Sequence, residues 1–128
     1  PVPWVFKAKG DSNDTWNGFK KERNEIFGFL TQHKIKGVVL MSADRHRSDL
    51  WKIERPRDYA LYEFNSSRLT NQHVHKTMEA AIFSYNAKQS FGTVDFDTIA
   101  ADPTATYRIH TIDGEQVFEH TVKRSELN

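Results

Sequence analysis

An aspartate and a histidine two positions apart, Asp44 and His46, are the residues of this sequence best suited to chemistry. In a tight loop, a carboxylate and an imidazole at this spacing can both point into one site. Oxygen and nitrogen ligands of this kind suit Fe, Zn or Mn, and the carboxylate also suits Ca. The spacing alone equally fits an aspartate that caps a turn and a histidine on the surface, since charged loop residues are usually solvated.

Two arginines and a second pair of histidines are further candidates for a substrate site. Arg45 and Arg47 stand beside these residues and could bind a phosphate group through paired N–H donors, the alternative being surface charge. His73 and His75 form a His-x-His pair, for which we consider substrate contact, an extra metal ligand, or an exposed mobile loop. Zinc binding by this pair needs more ligands, and the sequence offers none at standard spacing. Arg45, Arg47 and His73 are therefore predicted as substrate-binding residues.

The segment before these residues predicts a helix followed by a strand. Apolar residues recur at helical spacing over about 17–33, and Lys and Glu residues occupy the other face. Asn17 is the predicted N-cap and Gly37 the terminating residue. The apolar run over 38–41 predicts a strand that is buried on both faces. Asp44 and His46 follow it directly, and ligands of α/β sheets bind just beyond the C-terminal ends of strands.

The rest of the chain is predicted to form mainly strands. Residues 1–15 are predicted as a loop, and residues 65–90 as a long loop without a clear period. Strands are predicted at these positions: 50–54, 59–64, 91–97, 106–112 and 115–123. Asp113-Gly114 between the last two predicts a hairpin. The expected fold class is α/β (α+β), with one main helix, a buried strand and then mostly antiparallel strands.

Composition excludes several classes of protein. The chain has 128 residues, 38% of them hydrophobic, and a formal net charge of +1, which indicates no nucleic-acid surface. It has no cysteine, so thiolate metal sites and disulfides are excluded. No apolar run reaches the length of about 18 residues that a membrane span needs. The chain begins with Pro1 rather than Met, and one helix cannot cover both faces of the sheet, so we expect a single domain or a fragment over 1–128.

Several stretches, in the same order, resemble the C-terminal part of PhoD-like alkaline phosphatases. They are Asp14–Phe19, Glu22-Arg23, the strand that ends in Ser42–His46, Leu61–Ser67 and Gln89–Gly92. The corresponding family patterns are D-x-W-D-G-[YF], E-R, G-D-x-H, L-Y-E-F-T-S-S and N-S-F-G. The resemblance extends over nearly the whole chain, which makes it more specific than any single motif.

Some positions within these stretches depart from the family pattern. Ala43 stands where Gly is usual, Asn17 where Asp is usual, and Asn65 where Thr is usual. Both ligand types of the Asp44 and His46 pair are retained despite these changes.

The resemblance implies a calcineurin-like metallophosphoesterase fold, with two sheets between helices, and a two-metal centre. It implies that Asp44 and His46 are catalytic and that each binds one metal, an iron plus calcium set by resemblance, with Zn or Mn as alternatives. Two cations would bind the phosphoryl group and activate a water molecule for attack on a phosphate ester. The implied activity is that of a hydrolase, an alkaline phosphatase or phosphodiesterase, in an extracytoplasmic (periplasmic or secreted) setting.

The superfamily's earlier motifs, D-x-H, G-D and G-N-H-[DE], belong upstream and do not occur in these 128 residues. We therefore expect this chain to supply only the last ligand motif, to need an upstream half of the same domain, and to be inactive alone. The alternative is a non-catalytic β-rich binding module, with edge strands that pair into a homodimer. Whether Asp44 and His46 converge on one point distinguishes the two hypotheses.

Overall fold

The computed structural model describes residues 2–128 and has an α+β architecture, as the sequence predicted. The elements in chain order are β1 (Ala8–Asp11), α1 (Lys20–Gln32), β2 (Val39–Ser42), β3 (Ser48–Arg55), β4 (Asp58–Ser66), β5 (Phe83–Tyr85), β6 (Ser90–Asp97), β7 (Thr104–Thr111), β8 (Gln116–Lys123) and a 3-10 helix (Arg124–Leu127). The helix is neither long enough nor apolar enough to cross a membrane.

Seven of the strands form two sheets. The first sheet has the order β2-β4-β3-β5, and the second has the order β6-β7-β8. β2 pairs with β4 in parallel, whereas the other pairings are antiparallel. The predicted hairpin around Asp113-Gly114 is confirmed: Gly114 has a φ of 84° and donates its N–H to the carbonyl of Thr111 at 2.9 Å. Glycine adopts this left-handed conformation without steric cost.

β2 occupies the predicted position but not the predicted environment. It is the edge strand of the first sheet and, in residues 2–128, pairs with β4 on one side. Leu40 and Ser42 are buried, whereas Met41 between them is 60% exposed. Successive side chains of a strand point to opposite faces. The prediction of burial on both faces is therefore wrong, because only one face of β2 contacts the core.

The helix begins later than the sequence indicated. Its N-cap position is Phe19, with no side-chain capping bond. Asn17 instead accepts the N–H of Lys7 at 3.2 Å and donates to the carbonyl of Gly10 at 2.8 Å, so it stabilises the preceding loop. The helix ends before Gly37, because Lys34 already turns left-handed with a φ of 51°.

Two strands were not predicted from the sequence. β1 lies within the predicted N-terminal loop, and β5 lies within the predicted loop over 65–90. β5 has three residues and pairs antiparallel with β3. Neither strand is long enough to show the alternating pattern that reveals a half-buried strand.

The two sheets share one hydrophobic core. Its buried members from the first sheet include Leu50, Leu61 and Phe64, and those from the second include Tyr107 and Ile109. The rings of Phe64 and Tyr107 stack at 4.8 Å between centroids, and the Tyr107 hydroxyl donates to the Asn65 carbonyl at 2.7 Å. This contact joins the second sheet to the strand end beside which the candidate site lies.

Candidate metal centre

The loop over residues 43–47, between β2 and β3, has a strained backbone. Asp44 has a φ of 68° and His46 a φ of 48°, both in the left-handed region that non-glycine residues seldom adopt. The Ser67 hydroxyl oxygen accepts the N–H of Arg45 at 2.7 Å and that of His46 at 2.9 Å. Strain of this kind persists where surrounding contacts hold it, often at functional sites. Here Ser67 provides those contacts.

Buried polar side chains from β4 stabilise the end of β2. Asn65 donates from Nδ2 to the Ser42 hydroxyl at 2.9 Å and to the Ala43 carbonyl at 3.2 Å. Glu63 accepts a hydrogen bond from Ser42. Its two carboxylate oxygens also accept the N–H groups of Trp4 and Val5, each at 2.9 Å. The chain that enters the Asp44 loop is thus held by five hydrogen bonds rather than by apolar packing alone.

Burial dominates the electrostatics of Glu63. Desolvation raises its pKa, and the hydrogen bonds from Ser42, Trp4 and Val5 oppose that effect. The charge of Asp49 raises the pKa of Glu63 further. The strand end therefore carries a carboxyl group whose charged form is disfavoured by its surroundings.

Arg47 is buried rather than exposed, which corrects the surface-charge alternative. Its side chain is 2% exposed, and its Nε contacts both carboxylate oxygens of Asp49 at 2.9 and 2.8 Å. Its Nη2 donates to the carbonyl of Ala8 at 2.9 Å. Asp49 also accepts from Trp51 and Ser84, and its pKa is raised by burial, which its contacts with Arg47 oppose. Arg47 thus joins β1 to β3.

Arg45 is also buried, but its hydrogen bonding is incomplete. Its side chain is 1% exposed, and Nη2 donates to the Asp44 carboxylate at 2.8 Å. The Nε and Nη1 atoms are buried without a partner among the described residues. The Asp44 side chain is 55% exposed. One oxygen of an outward-facing carboxylate is therefore bound to a buried guanidinium.

Three histidines meet at this loop. His46, His73 and His75 each offer a ring nitrogen, and these atoms lie within 4.8 Å of one another. The rings of His46 and His75 are parallel, with centroids 5.0 Å apart, and the His73 ring is nearly perpendicular to both. Desolvation and then the charge of Arg45 lower the pKa of His75. A neutral imidazole is the form that binds metal.

The meeting of these histidines corrects one sequence expectation. The His-x-His pair was expected to lack a further ligand, but the loop after β2 brings His46 to it. His46 and His73 are 27 residues apart, and no local pattern in the sequence indicated this contact. Asp44 is not a member of the three-histidine group, and its carboxylate pairs with Arg45.

The chain matches the family model of the PhoD-like phosphatases over residues 5–124. This range includes the loop over 43–47 and the three histidines. Searches of curated proteins and of solved structures gave no match. Since the matched range covers nearly the whole chain, the chain belongs to the PhoD-like phosphatase family.

Proposed function

We propose that this chain forms part of an enzyme that hydrolyses phosphate esters at a two-metal centre, as an alkaline phosphatase or phosphodiesterase. Membership of the PhoD-like phosphatase family supports phosphoesterase chemistry. The observation that best supports the finer proposal is the strained loop after β2, held by Ser67, which presents Asp44 and His46 at a strand end.

Asp44 and His46 would each bind one metal. The exposed carboxylate of Asp44 is a ligand for a hard cation such as Ca²⁺, and the imidazole of His46 suits iron or zinc. When bound, the pair of cations would supply charge stabilisation for the phosphoryl group and an activated water molecule. The donor types present thus fit the iron plus calcium set that the family resemblance implies, with Zn or Mn as alternatives.

Arg45 would orient the Asp44 carboxylate through its 2.8 Å hydrogen bond. Its two unpartnered nitrogens support a second role in binding phosphate. His73 is exposed beside His46, and this position supports contact with substrate. We also propose substrate binding for Arg47, although its contacts to Asp49 and Ala8 favour a structural role.

One carboxylate and one imidazole cannot hold two metals, so most of the metal ligands would come from sequence outside these 128 residues. We propose that residues 1–128 are part of a phosphatase domain and that this chain alone does not hydrolyse phosphate esters. We also propose that the intact enzyme acts outside the cytoplasm. The sandwich of two sheets between helices belongs to the same proposal.

Elemental analysis and hydrolysis of chromogenic phosphate mono- and diesters test this proposal. Both measurements are made on this chain and on any longer gene product that contains it. We expect two metals and turnover only in the longer protein, and loss of both in Asp44→Ala and His46→Ala. His110→Ala, in β7, is the control and should leave both unchanged. A metal-free, inactive longer protein would overturn the proposal.

A non-catalytic binding module is the second candidate, and exposed apolar residues favour it. Phe29 on the helix is 54% exposed, and Phe19 directly before it is 53% exposed. Met41 on the edge strand is 60% exposed. A surface of this kind is typical of a contact with another protein. Light scattering of this chain over a range of concentrations tests self-association, and a strictly monomeric chain would contradict a homodimer.

A further inference from the structure

The segment that carries the His-x-His pair is anchored at both histidines and again after them. The carbonyl of His73 lies 3.0 Å from Nδ1 of His46. The carbonyl of His75 accepts from Nδ2 of Asn86 at 2.8 Å. Further along, Met78 donates its N–H to the Ser84 hydroxyl at 3.0 Å, and Ser84 donates to Asp49 at 2.6 Å. These hydrogen bonds hold the irregular segment that carries the His-x-His pair close to the loop that presents His46.

The hydrogen bond between His46 and His73 also selects a tautomer. A carbonyl oxygen only accepts, so Nδ1 of His46 carries the proton and Nε2 keeps its lone pair. A backbone carbonyl bound to the second ring nitrogen is the usual arrangement for a metal-binding histidine, because it fixes the ring and increases its basicity. The feature is therefore independent evidence for a ligand beyond the mere proximity of three rings.

The distances permit a metal ion after a small side-chain movement. Zinc binds imidazole nitrogen at about 2.0–2.1 Å, so nitrogens around one ion lie roughly 3.3 Å apart. The three nitrogens here lie within 4.8 Å of one another. His73 is exposed, whereas His46 and His75 are half-buried. A pair of nitrogens 4.8 Å apart would need to approach by about 1.5 Å, which rotation of side chains can supply.

We propose that His46, His73 and His75 form a three-imidazole site for a divalent transition metal ion of the zinc class. Three neutral nitrogens favour such ions over Ca²⁺ and Mg²⁺, which require oxygen ligands. The fourth position is open to water or to a phosphate oxygen, as in catalytic rather than structural zinc sites. The site uses residues of this chain alone and does not depend on phosphoesterase activity.

Competition between this chain and a chromogenic chelator for Zn²⁺ tests the site, with protein that carries no histidine tag. We expect one Zn²⁺ per chain. His73→Ala should weaken binding at least about tenfold, the smallest loss typical even of outer-shell partners. His75→Gln should do the same. The matched control is His33→Ala, an exposed histidine at the end of α1, which should change affinity less than twofold.

A Co²⁺ spectrum supplies a second measurement that does not depend on affinity. We expect the intense visible bands of four-coordinate Co²⁺ in the wild-type chain and their loss in His73→Ala. Circular dichroism of each variant verifies the fold. Binding that is absent, or equal in His73→Ala and wild type, overturns the site. Zn²⁺ binding with the expected histidine dependence in this chain, together with a longer gene product that hydrolyses no phosphate ester, overturns the proposed function and leaves this site intact.

Discussion

The two sheets differ in where they keep their charged groups. At the site end of the first sheet, Arg47, Asp49 and Glu63 are buried and make hydrogen bonds inside the protein. On the second sheet, Arg108 bridges Asp95 and Glu119 on neighbouring strands, and its side chain is 28% exposed. Burying an ion pair costs desolvation energy that its attraction repays only with good geometry. The buried charged groups of the first sheet carry this desolvation cost, and they lie beside the Asp44 loop.

The second sheet supplies packing instead. Tyr107, Ile109 and Val122 are almost fully buried and contribute to the common core. The contrast indicates that buried polar contacts of the first sheet hold the site in place, whereas the second sheet contributes apolar packing to the common core. Substitutions in the two sheets should therefore differ both in size and in the property that they change.

The largest effect should come from removing a buried charge partner. Arg47→Met leaves Asp49 without its cation, and breaking a buried pair from one side costs about 3–5 kcal/mol of the free energy of unfolding. Arg108→Met removes two partly exposed ion pairs, each of which should contribute less than about 1 kcal/mol. Urea unfolding of both variants measures the difference. Equal losses would contradict the contrast between the sheets.

A glycine between the sheets should give the next largest effect. A Cβ added at Gly92 would lie 2.6 Å from the Tyr107 ring, so Gly92→Ala should destabilise the protein by about 1–3 kcal/mol. Gly28 in α1 has no atom within 4 Å of the added Cβ. Gly28→Ala should therefore stabilise by roughly 0.5–1 kcal/mol through helix propensity. Thermal unfolding of the two variants should show shifts of opposite sign.

Loss of the Ser67 hydroxyl should act mainly on the site. Ser67→Ala removes the acceptor for the N–H groups of Arg45 and His46, which should cost about 1 kcal/mol of stability. We expect Zn²⁺ affinity to fall by roughly tenfold, because the loop that presents His46 is released. Ser125→Ala, which loses the hydroxyl hydrogen bond to Asp102 at 2.6 Å, is the control. Unchanged Zn²⁺ affinity in Ser67→Ala would show that the loop needs no such support.

The smallest effect concerns pH. The pKa of Glu63 is raised in the folded protein, chiefly by burial. Its folded form therefore holds a proton at a pH where the unfolded form has lost it, so its contribution to stability falls as pH rises through the raised pKa. Asp49 adds to this shift, and the nearby Arg23 interacts with the charged form.

Glu63→Gln removes this titration. The stability of the wild type minus that of Glu63→Gln, measured by urea unfolding from pH 4 to 8, should decrease with increasing pH. Taking the difference cancels the carboxylates whose pKa is lowered, such as Asp58 and Asp102. A difference that rises with pH would show that Glu63 is stabilised as the anion.

Local patterns predicted much of the fold. The helix, the hairpin at Asp113-Gly114 and the position of β2 each follow from spacing and turn residues within a short window. The face of β2 that is exposed could not be predicted, because Met41 is as apolar as its buried neighbour Leu40. Burial of this strand depends on what packs against it and not on its own residues.

The site was predictable only in part. Asp44 and His46 stand out because they follow a strand, and the structure places them in a strained loop. The burial of Arg47 depends on Asp49 and on the carbonyl of Ala8, 39 residues away. The contact of His46 with the His-x-His pair likewise joins segments 27 residues apart, and no local pattern predicts it. Contacts of this kind arise from tertiary structure alone.

Metal content measured together with ester hydrolysis tests the central claim most directly. In the longest gene product that contains this chain, we predict two bound metals and hydrolysis, with both lost in Asp44→Ala and His46→Ala and both retained in His110→Ala. Full metal content and full activity in Asp44→Ala and His46→Ala would contradict the claim that the loop after β2 holds the catalytic metals.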